Sequence, residues 1–146
     1  MFDQQLQELV KKEGDLMMFE YLGLNCAIVR PTKMRHWCGY VGVSKGSRLD
    51  EKKDYYPENL DGKDMKISAL EKAINNLQCH GGITFTGKGY WKNAKDDYYF
   101  GFDCAHYGDK TALDFDDGGE YRTKEYVICQ VEKLAKQIKE ILDLKL

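Results

Sequence analysis

The chain reads as an α+β protein: one domain over residues 1–146, with a mostly antiparallel sheet of about five strands and N-terminal, central and C-terminal helices. Three observations lead there. Apolar residues recur at helical spacing in three separated stretches. Between these stretches lie short runs of β-branched and aromatic residues bounded by glycine and proline, the punctuation of strands and turns. The length of 146 residues, 42% hydrophobic and 32% charged, suits one soluble core, which at this size buries roughly 68–70% of the unfolded surface.

Taken in order, Phe2, Leu6, Leu9 and Val10 fall at i, i+4, i+7 and i+8, one apolar stripe on a short helix ending near Gly14. Residues 17–21 and 24–30 are strand-type runs joined through Leu22 and Gly23, the spacing of a tight hairpin. Pro31 ends the second run, because proline has no amide proton to give a ladder. A third strand is read over 36–43, where Trp37, Cys38, Tyr40, Val41 and Val43 have strand propensity and Gly39 and Gly42 mark a bulge or a close backbone approach.

Residues 44–63 show neither period and read as a long loop around Tyr55, Tyr56 and Pro57, of the length that lids and binding loops have. Ser68 and Glu71 form a capping box for the central helix, with Ile67, Leu70, Ile74 and Leu77 on one face. Gly81 and Gly82 end that helix and release the chain into a strand over 83–86; Gly87, Lys88 and Gly89 then make a turn. The most aromatic strand follows at 98–102. Thr123 is a good N-cap for the last helix, whose apolar positions 127, 131, 134, 138 and 141 would cover a sheet face.

Several function classes fall away on composition. A net charge of −2 argues against a dedicated DNA- or RNA-binding domain, whose affinity needs overall basicity. No run approaches the ~18 apolar residues of a membrane span. Residues 1–10 lack the apolar core and cleavage site of a signal peptide, and the five cysteines form an odd set with no compact framework. The expectation is therefore a cytoplasmic protein with reduced thiols and no membrane partner.

Polar chemistry is concentrated in residues 79–109, at the ends of apolar strands. His80, Asp103, His106 and Asp109 are expected to gather in one pocket, with Gly81 and Thr84 beside them letting a ligand approach the backbone and a hydroxyl. The segment 30–53 is locally basic, and Arg35, Trp37 and Tyr40 would make a cationic and aromatic wall facing that pocket, suited to stacking on a base or ring. As an enzyme, the cluster would use His80 and His106 as acid and base, with Asp103 and Asp109 holding them or a metal. Cys104 is a weaker nucleophile, since nothing in the sequence shows it exposed or its pKa lowered.

Cysteine and histidine spacing bears on metal binding. Each histidine has a cysteine within two positions (His36 with Cys38, Cys79 with His80, Cys104 with His106), which could in principle furnish zinc. Neighbouring residues in a strand point to opposite faces, however, and no Cys-x-x-Cys is present. Asp114, Asp116, Asp117 and Gly118 break the order of a calcium loop, because the glycine stands where the third carboxylate belongs. No metal and no cofactor is assigned.

His80, Gly81, Gly82, Ile83 and Thr84, the run from Phe100 through Gly101, Phe102, Asp103, Cys104, Ala105 and His106 to Gly108 and Asp109, and then Tyr121, Arg122, Glu125, Tyr126 and Val127 resemble a family of small, mostly uncharacterised proteins encoded by bacteriophages and prophages. Cys38, Gly39, Tyr40, Val41, Gly42 and Val43 belong to the same pattern, and the likeness spans residues 26–134. The resemblance implies an origin and a setting in the host cytoplasm, with no activity attached. It makes the leading expectation a phage accessory protein that sequesters a small anionic ligand of the kind of a nucleotide signal of host defence. The alternatives are a small hydrolase of phosphoesters or nucleotides using the same cluster, or an inhibitor that binds a host protein; an oligomer is possible.

Overall fold

A computed structural model describes residues 4–50, 72–106, 108–111 and 119–144. Helix α1 (Gln4–Glu13) leads into the hairpin β1 (Leu16–Tyr21) and β2 (Leu24–Val29), followed by β3 (Cys38–Val43), β4 (Phe85–Lys88), β5 (Tyr98–Asp103) and α2 (Lys124–Leu142). The five strands form one antiparallel sheet in the order β1-β2-β3-β5-β4. The α+β class and the five-stranded antiparallel sheet with a helix towards each end agree with the expectation. Of the central helix, residues 72–75 are described and are helical. Its capping box at Ser68 and Glu71, the loop around Tyr55 to Pro57, Phe2 and the acidic run at 114–118 lie outside the described residues.

Local chemistry accounts for the boundaries. Leu22 and Gly23 both take positive φ, 54° and 78°, the backbone of a two-residue hairpin turn that matches strand twist. Thr123 caps α2 as expected, its hydroxyl accepting from the Tyr126 amide at 3.2 Å. The strand placed at 83–86 is displaced two residues later, and Gly87 and Lys88 belong to the ladder rather than to a turn, opposite Tyr99 and Tyr98. The reason is tertiary: β5 offers paired backbone groups as far as Tyr98, and an edge strand accepts glycine where its partner supplies the bonds.

One sheet face carries the main core. Cys26, Ile28, Val41, Phe100 and Phe102 project from the strands and meet Val127, Val131, Leu134, Ala135 and Ile138 of α2. Gly39 makes this contact possible. A Cβ there would sit 2.5 Å from the Phe102 ring and 2.6 Å from a Val131 methyl, so a side chain would push helix and sheet apart. On the other face Ala27, Val29, Cys38, Tyr40 and Tyr99 pack with Trp91 from the segment between β4 and β5. Among the described residues, no helix is long and apolar enough to cross a membrane.

Candidate functional site

The antiparallel register fixes where the chemistry sits. Cys38, the first residue of β3, lies opposite Asp103, the last of β5, and the Cys104 amide extends the pairing to the Trp37 carbonyl at 3.0 Å. The segments flanking those strand ends, together with residues 79–84 and the start of α2, therefore converge at one end of the sheet. A short parallel bridge between Asp109 and Glu120 draws the approach to α2 into the same place, the Glu120 amide donating to the Gly108 carbonyl at 2.7 Å.

Asp109 is the centre of the resulting cluster. Its side chain is almost fully buried, and its two oxygens are shared among three donors: Oδ1 accepts from Arg122 Nε at 2.7 Å, while Oδ2 lies 2.6 Å from His80 Nε2 and accepts from the His106 amide at 3.0 Å. Burial alone would raise the Asp109 pKa. The hydrogen bonds from Arg122, His80 and the His106 amide outweigh it and hold the carboxyl below its ordinary range. With Asp109 ionised, the shared proton rests on His80 Nε2, and His80 Nδ1 is left to accept from the Tyr126 hydroxyl at 2.7 Å. Asp109, His80 and Tyr126 thus form a hydrogen-bonded chain.

A second imidazole stands beside the first, the His80 and His106 ring centres being 6.0 Å apart. His106 Nε2 is 3.2 Å from Asp103 Oδ1, close enough for charge attraction but without the angle of a hydrogen bond. Asp103 is fixed by the Ala105 amide at 3.0 Å and the Thr84 hydroxyl at 3.1 Å. Gly81, at φ 69°, makes room for the His106 ring: a Cβ would come within 2.2 Å of it.

His80, Gly81, Thr84, Asp103, His106 and Asp109 are thus brought together from separate segments. The expected cationic and aromatic wall is not. Trp37 is fully buried, donates from Nε1 to Glu13 Oε1 at 3.2 Å and lies 4.0 Å beneath the Arg30 guanidinium. Arg35 pairs with Asp15 at 3.1 Å. Tyr40 points to the opposite sheet face from Trp37, against Phe85, Tyr90 and Trp91. Successive strand residues alternate faces, so Trp37 and Tyr40 could not line one wall, and Arg30 and Arg35 of the basic segment are paired within the chain, with Glu13 and Asp15.

Those partners form a second polar network. Glu13 accepts from Tyr121 at 2.5 Å, Arg30 at 3.1 Å and the Lys124 amide at 2.9 Å, which clamps α1 and β2 to the first turn of α2. Tyr121, bonded to Glu13, directly precedes Arg122 in the chain, so the network steadies the helix start that carries Arg122 and Tyr126. Neither of those two residues was singled out by their chemistry in the sequence. The available signal was position, since both flank the N-cap Thr123. Among the described residues, no group of three or more His, Cys, Asp or Glu side chains is arranged to hold a metal ion.

Fold and site together define an α+β protein with a histidine and carboxylate cluster at one end of an antiparallel sheet. No protein-family model, curated protein or solved structure matches the chain.

Proposed function

We propose that this cluster is an acid–base site and that the protein hydrolyses a small phosphoester of nucleotide type, in preference to storing it intact. The observation that carries the reading is the chain from Asp109 through His80 to Tyr126. A buried ionised carboxylate fixes the tautomer of an imidazole whose other nitrogen addresses a hydroxyl, an arrangement that moves protons.

Charge supports turnover over storage. Asp103, Asp109 and Glu120 stand against Arg122, which is already paired with Asp109 and Glu120. Apart from the imidazoles these groups carry an excess of two negative charges, which disfavours tight storage of an anion. In this reading the Tyr126 hydroxyl, bonded to His80, gives its proton to the leaving group, and the His106 imidazole, whose ring centre lies 6.0 Å from that of His80, accepts a proton from the attacking water. The setting, a phage accessory protein acting in the host cytoplasm on a nucleotide signal, rests on the resemblance of the sequence motifs.

The test is to incubate purified protein with linear and cyclic nucleotides, denature it by heat and identify what is released. Altered nucleotide in catalytic amounts is expected, falling ~10²- to 10⁴-fold in His80→Ala. Intact nucleotide in about equimolar amount would establish sequestration instead. Absence of any bound or altered nucleotide would leave inhibition of a host protein, tested by capture from host lysate.

A further inference from the structure

Arg122 links the buried centre of the cluster to the surface. Its Nε donates to Asp109 Oδ1 at 2.7 Å, and its guanidinium carbon stands 5.3 Å from the centre of the Tyr126 ring. Asp109 and Tyr126 are also the two side chains bonded to His80, so Arg122, Asp109, His80 and Tyr126 close a ring of contacts. The guanidinium is thus oriented from two sides, next to the residues that handle protons, and it keeps its charge throughout the range in which imidazoles titrate.

The other end of the guanidinium is held differently. Of its five N–H donors, Nε serves Asp109 and Nη1 serves Glu120, while Nη2 has no acceptor among the described residues. The Arg122 side chain is 24% exposed and that of Glu120 71%, which makes their pair a surface ion pair of the kind that contributes little to stability. The Glu120 backbone is anchored independently, its amide donating to the Gly108 carbonyl at 2.7 Å and its carbonyl accepting from the Lys110 amide at 2.9 Å. Its side chain can therefore turn away from Arg122 by a change of rotamer, with the bridge to Asp109 left intact.

These two ends restrict what Arg122 can meet. A guanidinium donates and never accepts, so its partner must be an acceptor, and a phosphoryl group offers several oxygens that match the Nη1 and Nη2 fork with more charge than a carboxylate carries. Such a group exchanges with Glu120 and not with Asp109, because Asp109 is nearly sealed and shared among three donors.

We propose that Arg122 binds the phosphoryl group of the substrate through its Nη atoms and that Glu120 is a resident counter-ion, displaced when the substrate enters and restored when the product leaves. The inference rests on the acid–base reading of the same cluster and adds the residue that selects a phosphoester over an uncharged ester. A carboxylate tethered at the site competes with every bound phosphate, which accords with turnover over storage.

The experiment follows the Arg122 Nε–H signal of the full chain by proton–nitrogen NMR with nitrogen-labelled arginine, at constant ionic strength and pH 7. The probes, added in turn, are inorganic phosphate, a mixture of the four common ribonucleoside 5′-monophosphates, and the same ribonucleosides without phosphate. Phosphate and the monophosphates are expected to move the signal and the ribonucleosides to leave it in place. Glu120→Gln removes the competitor and should tighten phosphate binding by about two- to fivefold, the equivalent of one surface ion pair. Glu125→Gln, which removes the same charge from an exposed position in the first turn of α2, should change it by less than about 1.5-fold. Equal gains in the two variants overturn the proposal, as does no gain in Glu120→Gln, an Arg122 signal that ignores phosphate, or one that ribonucleosides move as far. Arg122→Lys keeps the charge but loses the fork and should weaken phosphate binding by about tenfold; if it does not fold, the two surface variants decide alone. Failure of the acid–base reading is separately visible as the Glu120→Gln gain in a protein that leaves every nucleotide intact.

Discussion

Asp109 and His80 are 29 positions apart in the chain, yet their side chains meet at 2.6 Å, and the same carboxylate holds Arg122 at 2.7 Å. One buried carboxylate therefore joins the segment ahead of β4, the segment after β5 and the approach to α2. Among the described residues, the segment after β5 and the approach to α2 share an isolated bridge there rather than a ladder. The hydrogen bonds of Asp109 are both the candidate chemistry and the fastening of this end of the domain.

It follows that Asp109→Asn should destabilise the protein as well as alter the site. The amide keeps the shape but leaves Arg122 without its buried counter-charge, and a loss of about 2–3 kcal/mol is expected. Glu120→Gln is the contrast. That carboxylate pairs with the same arginine but is 71% exposed, so its removal should change stability by no more than ~0.5 kcal/mol. Urea denaturation of the two variants beside wild type checks both; equal losses would contradict the assignment of Asp109 as the centre.

Acid should unfold the protein through Asp109 and Glu13 together. For Glu13, burial pushes the pKa up, but hydrogen bonds from Tyr121, the Lys124 amide, Trp37 and Arg30 outweigh it and leave the carboxyl below its ordinary range. Both groups are depressed in the folded protein, so the stability they contribute is fully present above the unfolded carboxylate pKa of about 4 and is lost as pH falls through the folded values. Stability measured from pH 7 down to 2 should fall most steeply below about pH 4. In Glu13→Gln it should be lower at pH 7 and fall less over the acid range; an unchanged slope would show that Glu13 is not one of the linked groups.

Gly81→Ala tests the seat of His106. Left-handed backbone costs an alanine roughly 1–2 kcal/mol, and the new methyl would overlap a ring 2.2 Å away. The variant should melt earlier, and its His106 resonances should move far more than those of His36. Gly82→Ala, also at positive φ but with nothing within 4 Å of the added carbon, should show the backbone cost without the displacement of His106.

The thiols should react in an order set by burial. All five cysteines are free; Cys129 is exposed, while Cys26, Cys38 and Cys104 are buried. Burial pushes the Cys26 and Cys38 thiols up to about 12 and raises Cys104 as well, so little nucleophilic thiolate forms near pH 8. A chromogenic disulfide reagent on native protein should modify Cys129 quickly and those three only on the timescale of unfolding. In denaturant all five should titrate at once. Rapid modification of native Cys104 would revive it as a candidate nucleophile.

Much of the site was legible before the fold was seen because its residues are chemically conspicuous and flank strands. His80, Asp103, His106 and Asp109 stand beside the glycines and aromatic runs that mark the ends of β4 and β5. Arg122 and Tyr126 were less visible, since the same residue types fill the exposed faces of many helices. Arg35, Trp37 and Tyr40 misled for a related reason: basic and aromatic residues in a strand segment have the same composition whether they face a ligand or an internal carboxylate such as Glu13.

Element types, most of their boundaries and the fold class follow from hydrophobic period, caps and turn residues, which act over a few neighbouring positions. Partnership is a tertiary property. The order β1-β2-β3-β5-β4 brings the start of β3 beside the end of β5 and sends Trp37 to one face and Tyr40 to the other. Which carboxylate an arginine or histidine meets depends on strand order and register, and these are set by the packing of α2 against Gly39 and Phe102 across distances that no local pattern encodes.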